Sequence, residues 1–197
     1  MKRVGTILLI ILASLLFQTA TASAQGARKA LPFYYEDYGA CPFECCTYRR
    51  WTVTADTIIY KDRLEKAHAA FRVKKGEHVM GLTGVVVTLK PGKAVVKKAT
   101  QLGLNGRQVR VKAGDVLYLL HYEGEGIYKF WFGGRIYEAE MPSAPDLVYQ
   151  SPADKQLQYI QLISEPQTVW WVKVRNERGQ MGWSKQDDHF GDMDACG

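Results

Sequence analysis

At 197 residues, with 47% hydrophobic residues and a formal net charge of +6, the chain is long enough for one domain of ordinary size or two small ones. The basic balance comes with no nucleic-acid recognition motif, so nucleic acid is not an expected partner. No G-x-S-x-G elbow, phosphate loop or H-E-x-x-H helix occurs, which removes the enzyme classes that carry those signatures.

Lys2 and Arg3 precede an apolar run from Ile7 to Phe17, and Ala22-Ser23-Ala24 offers the small residues a signal peptidase reads. Residues 1–24 are therefore expected to be a cleaved signal peptide, because the run is too short for a membrane span. The mature chain would begin near Gln25 and be exported, periplasmic or secreted. Its charge is then unevenly spread. Residues 25–71 carry seven basic and six acidic groups, residues 72–112 ten basic and one acidic, and residues 113–197 seven basic and thirteen acidic. A chain polarised in this way offers a basic surface, Lys74, Lys75, Lys90, Lys93, Lys97 and Lys98, to an anionic envelope surface such as lipid headgroups or wall polymer. The plainer reading is that these lysines keep strand edges and turns soluble.

The segment 25–50 holds Cys41, Cys45 and Cys46, and Cys196 stands at the far end. Export makes disulfides the default. A bond between neighbours Cys45 and Cys46 would need a strained ring, which leaves two pairings. A turn at Pro42 favours Cys41–Cys46 with Cys45–Cys196. In either pairing one bridge ties the last residues to the early ones and stabilises by several kcal/mol on the chain-entropy account. The same cysteines with His189, or the acids Asp187, Asp188, Asp192 and Asp194, match neither a C-x-x-C zinc knuckle nor a calcium loop. No metal or other cofactor is expected.

Beyond residue 50 helical signals are nearly absent, and only Asp62 to Phe71 resembles a short helix or an ordered loop. Short runs rich in valine, isoleucine, tyrosine and tryptophan, such as Thr52 to Tyr60, Val85 to Leu89 and Val116 to Tyr122, alternate with Gly, Pro and Asn turns. Many short strands at turn-sized spacing predict an all-β barrel or sandwich. Val73 to Leu82 and Val111 to Leu120 share the pattern V-K-x-G-acid-x-apolar-x-x-L. This echo predicts two compact β modules in tandem, 51–104 and 105–197, unless the units share or lend strands. The second carries an insertion at 141–167, in which Tyr159 to Leu162 would add an edge strand.

The stretch "WWVKVRNERGQMGW", residues 170–183, reads as a hairpin turning at Asn176 to Gly179. With those four residues as the loop, Trp170, Val172, Val174, Met181 and Trp183 face the core, and Trp171, Lys173, Arg175, Gln180 and Gly182 face away. A loop one residue shorter would set Val174 opposite Gly182 and mix the faces. On the first register Trp171 stands on a polar, cationic face, unless it packs beneath the preceding segment.

These residues resemble the bacterial SH3-like (SH3b) family. The opening motif corresponds to Lys74, Lys75, Gly76, Glu77 and Val79, and the closing hairpin to Trp170 or Trp171, Val174, Gly179, Gly182 and Trp183. Two departures stand out. The first module lacks a closing tryptophan hairpin, and in the second the opening and closing motifs are unusually far apart. The resemblance implies small five- or six-stranded barrels and a binding or targeting role in the cell envelope. By the same analogy Tyr122, Glu123, Glu125, Tyr128 and Trp131 would line a ligand groove with Trp171.

Such modules often accompany a cysteine peptidase or amidase, but the cysteines here cluster where disulfides are expected, and His68, His78 and His121 are isolated in the sequence. The expected function is therefore non-enzymatic: recognition of a wall peptide, glycan or another exported protein through an aromatic groove. A structural partner that takes a peptide by β-strand addition is the alternative, with a hydrolase behind it.

Overall fold

The computed structural model describes residues 34–64, 66–141, 159–185 and 187–196. The expected signal peptide and most of the expected insertion, residues 142–158, lie outside them. In chain order the strands are β1 (Tyr35–Tyr38), β2 (Arg50–Val53), β3 (Thr57–Tyr60), β4 (Ala69–Val73), β5 (His78–Lys90), β6 (Gly92–Val96), β7 (Thr100–Leu102), β8 (Val109–Val111), β9 (Val116–Gly124), β10 (Ile127–Phe132), β11 (Arg135–Glu140), β12 (Ile160–Ser164), β13 (Gln167–Asn176), β14 (Met181–Ser184) and β15 (Phe190–Gly191). A 3-10 turn, Asp187–His189, falls just before the last strand, and the described residues contain no α-helix. The all-β class expected from the sequence is what forms. Of the stretch Asp62 to Phe71, Ala69 to Phe71 belong to β4, and the described residues before them are irregular.

The sequence echo makes the same turn twice. Glu77 Oε2 accepts from Lys74 N at 3.0 Å while Glu77 N donates to Lys74 O at 3.0 Å, and Asp115 repeats this with Lys112 at 2.7 and 3.0 Å. Gly76 and Gly114 each sit at φ +89°, a conformation only glycine adopts without strain. A valine ending an earlier strand grips each turn. Val53 N donates to Glu77 O at 2.9 Å and Val53 O accepts from Gly76 N at 2.8 Å; Val96 does the same to Asp115 and Gly114 at 3.0 and 2.8 Å.

The equivalence extends to whole sheets. One sheet runs β15-β2-β5-β13-β14-β3-β4, with β1 also pairing to β5, and another runs β11-β10-β9-β6-β12. Taken from their closing strands, β15-β2-β5-β13-β14 and β12-β6-β9-β10-β11 follow the same antiparallel path. The hairpin β3–β4 attaches to β14 through Trp183 and Tyr60. β7 and β8 form the corresponding hairpin of the second unit.

The two units are not consecutive. Strands β6 to β12 all lie between β5 and β13, so one unit is inserted whole into a connection of the other. Their cores divide accordingly. The outer core draws Trp51, Ile59, Val79 and Val86 from before the insertion and Trp170, Val174 and Phe190 from after it. The inner core is built from residues between, among them Val96, Leu117, Phe130 and Ile160. In place of the tandem order expected about residue 104, the strand order is nested. The hairpin missing from the first module is the one at 170–183, and the long gap in the second is the return to the first.

The insertion is geometrically easy because the inner unit brings its own ends together. β12 pairs with β6 as the edge strand expected at 159–162, leaving Ser164 beside Lys93. On the outer side Lys90 pairs with Gln167. Gly92 marks where the two connections cross: a Cβ there would lie 2.4 Å from Ser164 O and 2.6 Å from Pro166 N. The units also touch. Gly84 to Thr88 are all buried, Val86 lies in the outer core, and Thr88 Oγ1 donates to Leu120 O on β9 at 2.7 Å.

The four cysteines form Cys41–Cys46 and Cys45–Cys196, with Cα separations of 5.5 and 5.6 Å. Backbone bonds reinforce the second: Ala195 N donates to Cys45 O at 2.8 Å, and Thr47 N to Met193 O at 2.8 Å.

Two outcomes are expected. Replacing residues 91–166 by an Asn-Gly turn leaves β5 and β13 as an ordinary hairpin, and the shortened chain still unfolds cooperatively with the near-ultraviolet signature of packed tryptophans; a non-cooperative melt would contradict the nesting. Replacing Cys45 and Cys196 together by serine lowers unfolding free energy by up to about 5 kcal/mol in denaturant titrations, the chain-entropy figure for so long a loop.

Candidate functional site

The hairpin adopts the shorter loop. Asn176 Oδ1 accepts from Arg178 N at 3.1 Å and Gln180 N at 2.9 Å, Asn176 N donates to Gln180 O at 3.0 Å, and Gly179 sits at φ +78°. Only Glu177, Arg178 and Gly179 remain outside the pairing, a type I turn closed by a glycine bulge. Val174 therefore pairs with Gly182 and Lys173 with Trp183. Trp170, Val172 and Val174 are buried as expected, but the core side of β14 is Gly182 and Ser184. Gly182 is required there, since a Cβ would come within 2.5 Å of Tyr60 O. Met181 is 54% exposed, and Trp183 stands half-buried on the outward face with Trp171. Met181 and Trp183 were both expected in the core, whereas Trp171 is on the outward face as expected and has Trp183 beside it.

Placing the two tryptophans together creates a groove of about 1030 Å³ on the outward face of the outer unit. Its floor is Val87, Val169, Trp171, Trp183 and Tyr60, and its walls come from β1 and from the β3–β4 loop. Arg63 on that loop reaches over to Glu36 on β1, Nη1 to Oε1 at 2.9 Å and Nη2 to Oε2 at 3.1 Å. Its guanidinium also lies 5.3 Å from the Trp183 ring centre and 5.4 Å from that of Tyr38. Tyr34 donates to Glu36 Oε1 at 2.7 Å, and the Tyr38 hydroxyl donates to Oε2. The Arg63 hydrogen bonds, opposed by burial and helped by the two tyrosines, hold the Glu36 carboxyl down to about 2. A planar, forked cation thus fastens the β3–β4 loop across an aromatic floor.

The residues expected around Gly124 to Gly126 belong to the inner unit instead. Tyr122 and Tyr128 pack with ring centres 5.2 Å apart, and the Tyr128 hydroxyl donates to Glu165 at 2.7 Å. Trp131 meets Tyr118 edge-on at 5.9 Å, and Glu125 is exposed on its turn. Trp171 lines a different groove from Tyr122. Of the six lysines, all exposed, Lys74 and Lys75 precede β5 while Lys90, Lys93, Lys97 and Lys98 follow its thirteen residues, so the strand separates them.

Glu123 takes part in the polar contact between the units. Lys129 Nζ lies 2.6 Å from Asp37, 3.0 Å from Glu123 and 3.6 Å from Glu138, and His121 Nε2 is 2.7 Å from Asp37. Burial would raise the Asp37 carboxyl, but hydrogen bonds from His121 and Lys129 hold it down to about 2. Asp37, His121 and Glu123 come close enough together to bind a metal, yet the Lys129 ammonium already pairs with both carboxylates. His121 Nδ1 is 2.9 Å from Tyr122 O, so both ring nitrogens face acceptors and neither faces a nucleophile. All four cysteines are bridged.

Comparison with protein families, with curated proteins and with solved structures found no match to this chain. The disulfides fit an oxidising, exported environment, and no helix among the described residues is long and apolar enough to cross a membrane.

Both Glu36 and Asp37 have folded values below their ordinary 4.5 and 3.8. The stability they supply is therefore complete above about pH 4.5 and drains away as pH falls toward 2. Denaturant titrations across that window should show a steep loss, and Glu36→Gln or Asp37→Asn should each flatten it; an unchanged slope in both variants would refute the two networks.

Proposed function

We propose that each unit is an SH3-like barrel and that the protein is a non-enzymatic, exported binding module for a cell-envelope ligand. Three features support the barrel assignment: a common strand path in both units, a glycine turn opening the central strand of each, and a 3-10 turn before the closing strand of the outer one. The observation that carries the binding role is the Trp171–Trp183 groove, a concave apolar floor bordered by a few fixed polar groups, as ligand sites usually are. The ligand is a wall peptide, a glycan or a segment of another exported protein. Aromatic rings supply contact area at low entropic cost, and Lys185 and Asp62 at the rim supply the polar anchors.

The test is retention of the purified chain on isolated sacculi, scored against Trp171→Ala. Loss of the central aromatic should weaken retention by about tenfold or more. Retention unaffected by Trp171→Ala would remove the groove from the account.

A further inference from the structure

The outward face of the outer sheet continues beyond the groove into a feature that packing does not explain. Arg50 on β2 pairs with Met80 on β5, Met80 with Arg175 on β13, and Arg175 with Met181 on β14. Arginine and methionine thus alternate in one row across four adjacent strands. Met80 is 38% exposed and Met181 54%, and both arginines are exposed. Cross-strand neighbours share a face about 4.8 Å apart, so the two arginines are rooted about 10 Å apart with a thioether between them.

Neither arginine is committed to a structural partner. Arg50 meets Glu177 at 3.6 Å with both side chains well exposed, a contact of little worth, and Arg175 has no ion pair among the described residues. Lys173, next but one along β13, lies over the Trp183 ring at 5.6 Å and adds a third cation to the same face. A shallow depression of about 310 Å³ is lined by Arg50, Met80 and Arg175 of the row and extends toward the hairpin turn at Asn176 to Gly179. A solvated sheet face is ordinarily lysine, glutamate and threonine. Arginine and methionine are instead among the residues enriched where proteins meet.

We propose that this row docks an acidic, extended peptide segment in which carboxylates alternate with apolar side chains. Guanidinium groups take carboxylates in forked pairs, and methionine adapts to whatever aliphatic group lies between them. The row stands apart from the groove: Trp171 is not part of it, and its occupant does not depend on what the groove binds. Its position beside a concave groove on the sheet face, rather than on a protruding tip, favours a chain over a bilayer.

The probe is a fluorescent ten-residue peptide of alternating glutamate and leucine, titrated against the full chain by anisotropy at low and high salt. Expected is salt-sensitive binding that weakens about tenfold in the double variant Arg50→Glu, Arg175→Glu. It should also weaken in Met80→Ser with Met181→Ser, and persist in Trp171→Ala and in Lys90→Glu with Lys93→Glu. All variants should melt within a few degrees of the parent, since every substituted side chain is at least partly exposed. Absence of binding overturns the proposal. So does equal loss from the Lys90 and Lys93 reversal, which would make the attraction diffuse. Arginine-dependent binding to phosphatidylcholine–phosphatidylglycerol vesicles without peptide binding would assign the face to a membrane instead.

Discussion

The pairing of β5 with β13 is the constraint on which the molecule depends. β5 runs for thirteen residues, and its partner arrives only after an entire second unit has been built. Everything distinctive follows from that pair: it closes the outer core around Trp51 and Trp170, and it aligns the hairpin whose outward face forms the groove. The inner unit permits it by placing its own first and last strands side by side, so the outer unit experiences 76 inserted residues as a loop with fixed, adjacent ends. The entropy of closing such a loop grows only slowly with length, and here much of that cost is met by the inner unit's own folding.

Two of the contacts between the units differ in kind. Thr88 against Leu120 is a single neutral bond, whereas Asp37, Glu123, His121 and Lys129 form a partly buried charge network fed from β1 and from β9 and β10. Removing one member of such a network strands the rest, so it fixes relative orientation more than it adds net stability. Charge also orders the groove, where Arg63 ties the β3–β4 loop to Glu36 on β1.

Much of the fold was legible because its signals are local. Valine alternation identified strands, and the V-K-x-G-acid repeat marked two equivalent turns down to the carboxylate that caps each one. Nesting was not legible, since strand alternation says what pairs but not with whom, and β6 follows β5 with only Pro91 between. Even so, a hairpin missing from one module and displaced in the other was its trace. The register of the final hairpin turned on one residue of loop length. The deciding signal was Gly182, a glycine between Met181 and Trp183, which marks the side pressed against Tyr60. Trp171 and the Tyr122 cluster do not share one groove because they belong to different units. Arg63 gave no local sign of its role, since its partner Glu36 is brought near only by tertiary folding.

Nesting also imposes a timetable on synthesis. As the polypeptide emerges, the inner unit is complete once Ser164 is out, while the outer one still lacks β13, β14 and β15. Through that interval Trp51 and Val79 have no partners from the far side, and Cys45 waits as a thiol next to Cys46 until residue 196 appears. The longer-lived hazard for a newborn chain is therefore a premature bond within the cysteine cluster, and a cell making this protein would be served by a catalyst that reshuffles such bonds.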